Sequence, residues 1–142
     1  MKINTKKFLK KLKIKRIKCE YNRHEFIRMF GFIPSGYARA ETKEIYLHRK
    51  YTKEVLFHEV AHILLAHSDG GDMWGAISTV CEMEANLVAI KVCKKFGEDC
   101  PIIKDYQKLA KSVYRKNKFK KKVRLTKIEK VCTQIIDAIE RG

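Results

Sequence analysis

The order of patterns along the chain predicts an α+β fold, with short strands first and amphipathic helices after them. Up to about residue 48 the apolar residues alternate and Gly31, Pro34 and Gly36 mark turns. From Thr52 onward the apolar spacing becomes that of helices, punctuated by a polar, Gly-rich segment and by Gly97. A length of 142 residues fits one compact domain and leaves no comfortable room for two, so residues 1–142 are expected to form a single domain.

Leu12, Ile14, Ile17, Cys19 and Tyr21 alternate with one slip at Lys15-Arg16, consistent with a strand carrying a bulge. Residues 24–30 fit either a short helix or a second strand. Tyr37–Ala40 and Glu44–His48, separated by Glu41-Thr42-Lys43, read as a β-hairpin, and the N-terminal strands are expected to pair antiparallel. Thr52 is the expected N-cap of a helix of about fifteen residues running to His67, ended by Ser68-Asp69-Gly70-Gly71-Asp72. A second helix spans roughly residues 77–96 and stops at Gly97. Pro101 opens a segment that is helical to about Tyr114. The last helix starts with a capping-box pattern, Thr126 to Glu129. Its Ile128, Val131, Cys132, Ile135, Ile136 and Ile139 share the spacing of one buried face.

The net charge of +16 sits at the two ends. Residues 1–18 carry +9 and residues 104–142 another +9, whereas residues 19–103 carry −2. Arg115–Arg124 alone holds seven basic residues in ten, with Phe119 its single aromatic, so the stacking ladder of a single-strand binder is absent. Such ends suit contact with nucleic acid or an acidic partner, or simply a solvated, self-repelling surface. Cys19, Cys81, Cys93, Cys100 and Cys132 show no CxxC spacing and are odd in number, which points to a reducing compartment. The N-terminal residues are Lys-rich and lack the apolar run of a signal peptide, and the longest apolar stretch, around Ile63-Leu64-Leu65-Ala66, is far too short to cross a bilayer. A cytoplasmic location with no membrane contact is expected. The aromatics Phe26, Phe30, Phe32 and Trp74 are expected in the core or packing turns.

The chemistry concentrates at His58-Glu59-Val60-Ala61-His62. Four residues of helix make about 400° of rotation, so both imidazoles leave one face a turn apart and can hold two corners of a zinc tetrahedron. Glu59, beside the first ligand, is placed to take a proton from a metal-bound water as general base. A chance HExxH in a chain of this composition arises roughly once in a hundred. The competing reading is a buried helix whose histidines merely bond to backbone or carboxylates. A catalytic zinc needs a third protein ligand. His67 lies about 900° of helix beyond His58, on the opposite side of a continuing helix, and reads as a helix-end residue. It also misses the HExxHxxGxxH pattern, because Leu65 and Ser68 stand at the Gly and last His positions. Glu82 and Glu84 on the next helix remain, although Thr79-x-x-Glu82 is itself a capping-box pattern.

These residues, with Ile45-Tyr46-Leu47 before them and Glu82-Met83-Glu84-Ala85-Asn86-Leu87-Val88-Ala89 after them, resemble the ImmA/IrrE-type metallopeptidases of bacteria, phages and mobile elements. The resemblance covers about residues 36–92 and implies a small metallopeptidase-like domain. Its catalytic portion spans about residues 36–97, with a basic helical C-terminal part at 101–142. It implies zinc held by His58, His62 and Glu82, Glu59 as the catalytic residue, and Asn86 as a residue steadying a ligand. The family usually has Phe where Val88 stands and an apolar run where Ile90-Lys91-Val92-Cys93-Lys94-Lys95 follows, so the wall of the substrate groove differs here.

The expected function is therefore a zinc-dependent endopeptidase. An extended substrate would add to a sheet edge supplied by Tyr37–Ala40 or Ile45–Leu47. Members of the resembled family cleave helix-turn-helix repressors, which makes a DNA-binding repressor the leading substrate class. The alternative is a non-catalytic basic binding module with a structural or vestigial metal site. DNA-associated zinc proteases of the SprT kind use a third histidine ligand, lacking here.

Overall fold

The computed structural model describes residues 2–19, 21–30, 35–67, 76–100 and 124–141. Its elements are α1 (Thr5–Lys11), β1 (Lys15–Ile17), α2 (Arg23–Phe30), β2 (Gly36–Arg39), β3 (Glu44–Leu47), α3 (Lys53–Leu64), α4 (Ala76–Lys95) and α5 (Leu125–Glu140). The mixture of helices and a three-stranded sheet agrees with the α+β expectation.

The N-terminus departs from the expected long strand. Asn4 accepts a hydrogen bond from the Lys7 backbone at 3.1 Å and starts α1, which buries Phe8 and Leu9 and exposes Lys6, Lys7, Lys10 and Lys11. Lys13 then takes a left-handed conformation (φ 59°), the Lys13 amide bonding to Lys10 O and the Ile14 amide to Leu9 O. That is a Schellman ending, and it leaves only three residues for β1.

The sheet has the order β1-β3-β2. The hairpin forms as expected, with Tyr37 opposite Tyr46 and Ala38 opposite Ile45. The expectation of wholly antiparallel strands is corrected, because β1 pairs parallel with β3, Arg16 lying opposite Ile45. The hairpin occupies one edge of β3. The connection from β1, through α2 and β2, is long enough for the crossover that parallel pairing requires. Strand alternation sends Ile45 and Leu47 into the main core and Tyr46 to the other face. There Tyr46 and Tyr37 stack with ring centroids 5.1 Å apart, and Phe26 of α2, 6.0 Å from Tyr46, closes that face. Residues 24–30 are thus helical, and Phe26 is a packing residue as expected.

Helix α3 starts where expected, the Thr52 hydroxyl accepting from the Val55 amide, but it ends at Leu64 and not at His67. Leu56, Phe57, Val60, Ala61 and Ile63 are buried, with Phe57 in edge contact with Phe8. Helix α4 lies against it and buries Val80, Met83, Ala85, Val88, Ala89, Val92 and Cys93, residues spread around most of its circumference. A helix apolar nearly all round belongs inside a domain. Gly97 (φ 70°) ends α4 as expected, with its amide on Lys94 O and the Glu98 amide on Cys93 O. Because α4 begins at Ala76, Glu82 lies in its interior and does not close a helix N-terminus.

Helix α5 covers α4 with Ile128, Val131, Cys132, Ile135 and Ala138, while Ile136 and Ile139 flank the core. Its expected capping box is not formed: Thr126 is already inside the helix, and the N-cap Arg124 makes no side-chain cap. The Arg124 backbone N–H instead donates to Glu84 Oε2 at 2.8 Å. The expected helix at 101–114, the basic run as far as residue 123, the Ser68–Asp72 segment, Phe32 and Trp74 lie outside the described residues. Among the described residues, no helix is long and apolar enough to cross a membrane.

Candidate metal centre

The HExxH spacing does what its rotation predicts. His58 and His62 project from one face of α3 with their Nε2 atoms 3.1 Å apart and rings nearly perpendicular. Glu82 reaches across from α4 and straddles them, Oε2 lying 3.1 Å from His58 Nε2 and Oε1 3.0 Å from His62 Nε2. The three residues offer ligand atoms that all lie within 4.8 Å of one another. A tetrahedral zinc with bonds of about 2.0–2.1 Å separates its ligand atoms by about 3.3 Å, so the observed spacings match a small four-coordinate ion. Two neutral imidazoles and a carboxylate are a donor set for such an ion.

Electrostatics favour this set. Burial opposes the Glu82 charge, but hydrogen bonds from both histidines outweigh it and hold the carboxyl below its ordinary range. At His58 burial disfavours protonation, while the Glu82 hydrogen bond and the Glu59 and Glu82 charges overcome it and raise the pKa. Without a cation, two histidines and two carboxylates share one small volume. A divalent ion replaces their protons.

Glu59 sits at the edge of this group, with Oε1 4.0 Å from His58 Nε2 and the side chain largely buried. Burial, reinforced by the Glu82 charge and opposed by both histidines, raises its pKa. Gly36 passes directly over it. A Cβ at Gly36 would stand 3.4 Å from Glu59 Cγ and 2.9 Å from the Tyr46 carbonyl oxygen, so only glycine lets β2 approach so closely.

Glu84, the other acid considered as a ligand, faces away from His58 and His62. Two residues of helix rotate it about 200° from Glu82. It is 1% exposed and bonds to His67 and Arg124. Burial opposes its charge, but hydrogen bonds from His67 and Arg124 lower its pKa to about 2. His67 is not the bland helix-end residue expected. Ala66 adopts φ 56°, with its amide on Ile63 O and the His67 amide on His62 O, and this Schellman turn swings the His67 ring back. His67 Nδ1 lies 2.8 Å from His62 Nδ1, and Nε2 lies 2.9 Å from Glu84 Oε1. Burial lowers the His67 pKa against the pull of Glu84.

Asn86, one turn beyond Glu82, is buried and approaches His58 closely enough to favour its protonated form. Neither His58 Nδ1 nor Asn86 Nδ2 closes a hydrogen bond of ordinary geometry. Arg124 went unnoticed in the sequence. It sits at the end of a basic run, and nothing there singles it out from its neighbours. Comparison with protein-family models, with curated proteins and with solved structures returned no match, so the residues and their geometry alone carry the functional reading.

Proposed function

We propose that this chain is a zinc-dependent peptidase in which His58, His62 and Glu82 hold the metal and Glu59 is the general base. The observation that carries the reading is the meeting of His58, His62 and Glu82, with a separate carboxylate, Glu59, beside them. A purely structural site has no use for that fourth group. Zinc held there supplies Lewis-acid activation of water and of a scissile carbonyl. Glu59 accepts the proton at its carboxylate and returns it to the leaving amine.

Position in the sheet supports a peptide as the substrate. Among the described residues β2 is an edge strand, packed beside α3, and β3 is interior, so of the two candidate edges β2 is the one available for strand addition. An extended chain paired with β2 runs past Gly36 and so past Glu59. A regulatory protein such as a helix-turn-helix repressor is the proposed target. The exposed lysines of α1 support docking to an acidic partner or to nucleic acid near that target.

Metal content by mass spectrometry and hydrolysis of a quenched fluorescent peptide library test the reading. One zinc per chain is expected in wild type and in Glu59→Gln, with cleavage reduced about 10²–10⁴-fold in the variant. A Glu59→Gln protein that cleaves like wild type, or a wild type without bound metal, overturns it.

A further inference from the structure

We infer that His67, Glu84 and Arg124 form a positioning relay for His62, which makes α5 a working part of the metal centre. The inference rests on His58, His62 and Glu82 binding a metal.

The direction of the hydrogen bonds carries it. A histidine that ligates through Nε2 keeps its proton on Nδ1, and that proton needs an acceptor. For His62 the partner is His67 Nδ1 at 2.8 Å. His67 must then carry its own proton on Nε2, which points at Glu84 Oε1 at 2.9 Å. Glu84 needs no proton of its own. Arg124 donates to it three times, from Nη2 to Oε1 at 2.7 Å, and from Nε (3.0 Å) and the backbone N–H (2.8 Å) to Oε2. Each donor finds an acceptor, and the chain ends on a fixed cation. The reverse direction would put the His62 proton on Nε2, where it would occupy the ligand position.

The same helix start also pins the turn that delivers His67. Arg124 Nη2 lies 3.4 Å and Lys127 Nζ 3.2 Å from the Leu65 carbonyl oxygen, two cations at the C-terminus of α3. His58 has a looser neighbour, Asn86, which approaches it without closing a hydrogen bond of ordinary geometry. The relay therefore fixes one of the two histidine ligands.

Zinc affinity, measured by competition with a chromophoric chelator, reads this without reference to cleavage. His67→Phe keeps the ring and removes both nitrogens, and it is expected to weaken zinc binding about 10- to 100-fold. His67→Gln, with a carbonyl to accept and an amide to donate, is expected to restore most of that loss. Arg124→Met is expected to weaken binding several-fold and, because it leaves the buried Glu84 carboxylate short of its cation, to lower the melting temperature of the metal-free protein; its affinity, read in the folded protein, decides the matter if His67→Phe fails to fold. The visible absorption of the cobalt-loaded protein should change in His67→Phe and return in His67→Gln. Wild-type affinity in both His67→Phe and Arg124→Met overturns the relay while the metal centre stands. A wild type that binds no zinc removes the relay and the metal centre together.

Discussion

Two carboxylates on α4 divide the centre into an open half and a locked half. Glu82, with its side chain 37% exposed, meets His58 and His62 beside Glu59. Glu84, 1% exposed, is held by His67 and by three hydrogen bonds from Arg124. They differ only by a helical rotation of about 200°. The difference teaches that identity and spacing do not assign a role to a glutamate. What faces it does.

The sharpest way to break this comparison is to remove each carboxylate in turn. Glu82→Ala is expected to lower zinc affinity at least about 100-fold, with a smaller loss of stability in the metal-free protein than Glu84→Ala gives, because a half-open carboxylate and its histidine partners are better solvated. Glu84→Ala is expected to cost about 3 kcal/mol of stability in a denaturant titration of the metal-free protein, since it strands His67 and Arg124. Equal losses of stability in the two variants would erase the distinction.

Gly36→Ala probes the open half alone. The new methyl would meet the Tyr46 carbonyl oxygen of β3 at 2.9 Å and Val55 Cγ1 of α3 at 3.3 Å, so β2 has to shift, with an expected cost of about 1–3 kcal/mol. Cleavage is expected to fall with zinc binding retained, because the α3 side chains nearest the added methyl are Val55 and Glu59. Retained stability and retained cleavage together would show that β2 tolerates the shift.

The smallest effect belongs to the turn of the locked half. Ala66 occupies a left-handed conformation that glycine adopts without strain, so Ala66→Gly is expected to add about 0.5–1 kcal/mol. Gly97→Ala, at the matching turn of α4 where a Cβ meets nothing within 4 Å, is expected to lose about 1 kcal/mol from backbone strain alone. Thermal melts of both variants measure this pair, and equal signs would contradict it.

Three helices end in the same motif, at Lys13, Ala66 and Gly97, and only the last was legible. Glycine announces a left-handed residue, whereas a lysine or an alanine there is paid for by tertiary packing. For this reason the expected strand starts at Leu12, inside the turn that closes α1, and the expected α3 runs through to His67. The Thr126 capping box misled for a related reason: Glu84 had already taken the amide at the helix start. Where a local signal was strong and nothing distant competed, it held, as at Thr52, at the Tyr37–Tyr46 hairpin and along the buried face of α5.

By itself the sequence determined what rotation along one element can determine. A four-residue helical spacing brings His58 and His62 together, and a short turn pairs β2 with β3. Only the tertiary structure decided which of two nearby glutamates joins the histidines, which neighbour β1 pairs with, and that His67 and Arg124 stand behind His62. Those choices depend on how separate elements pack, and packing distances between elements are not encoded in the period of either one.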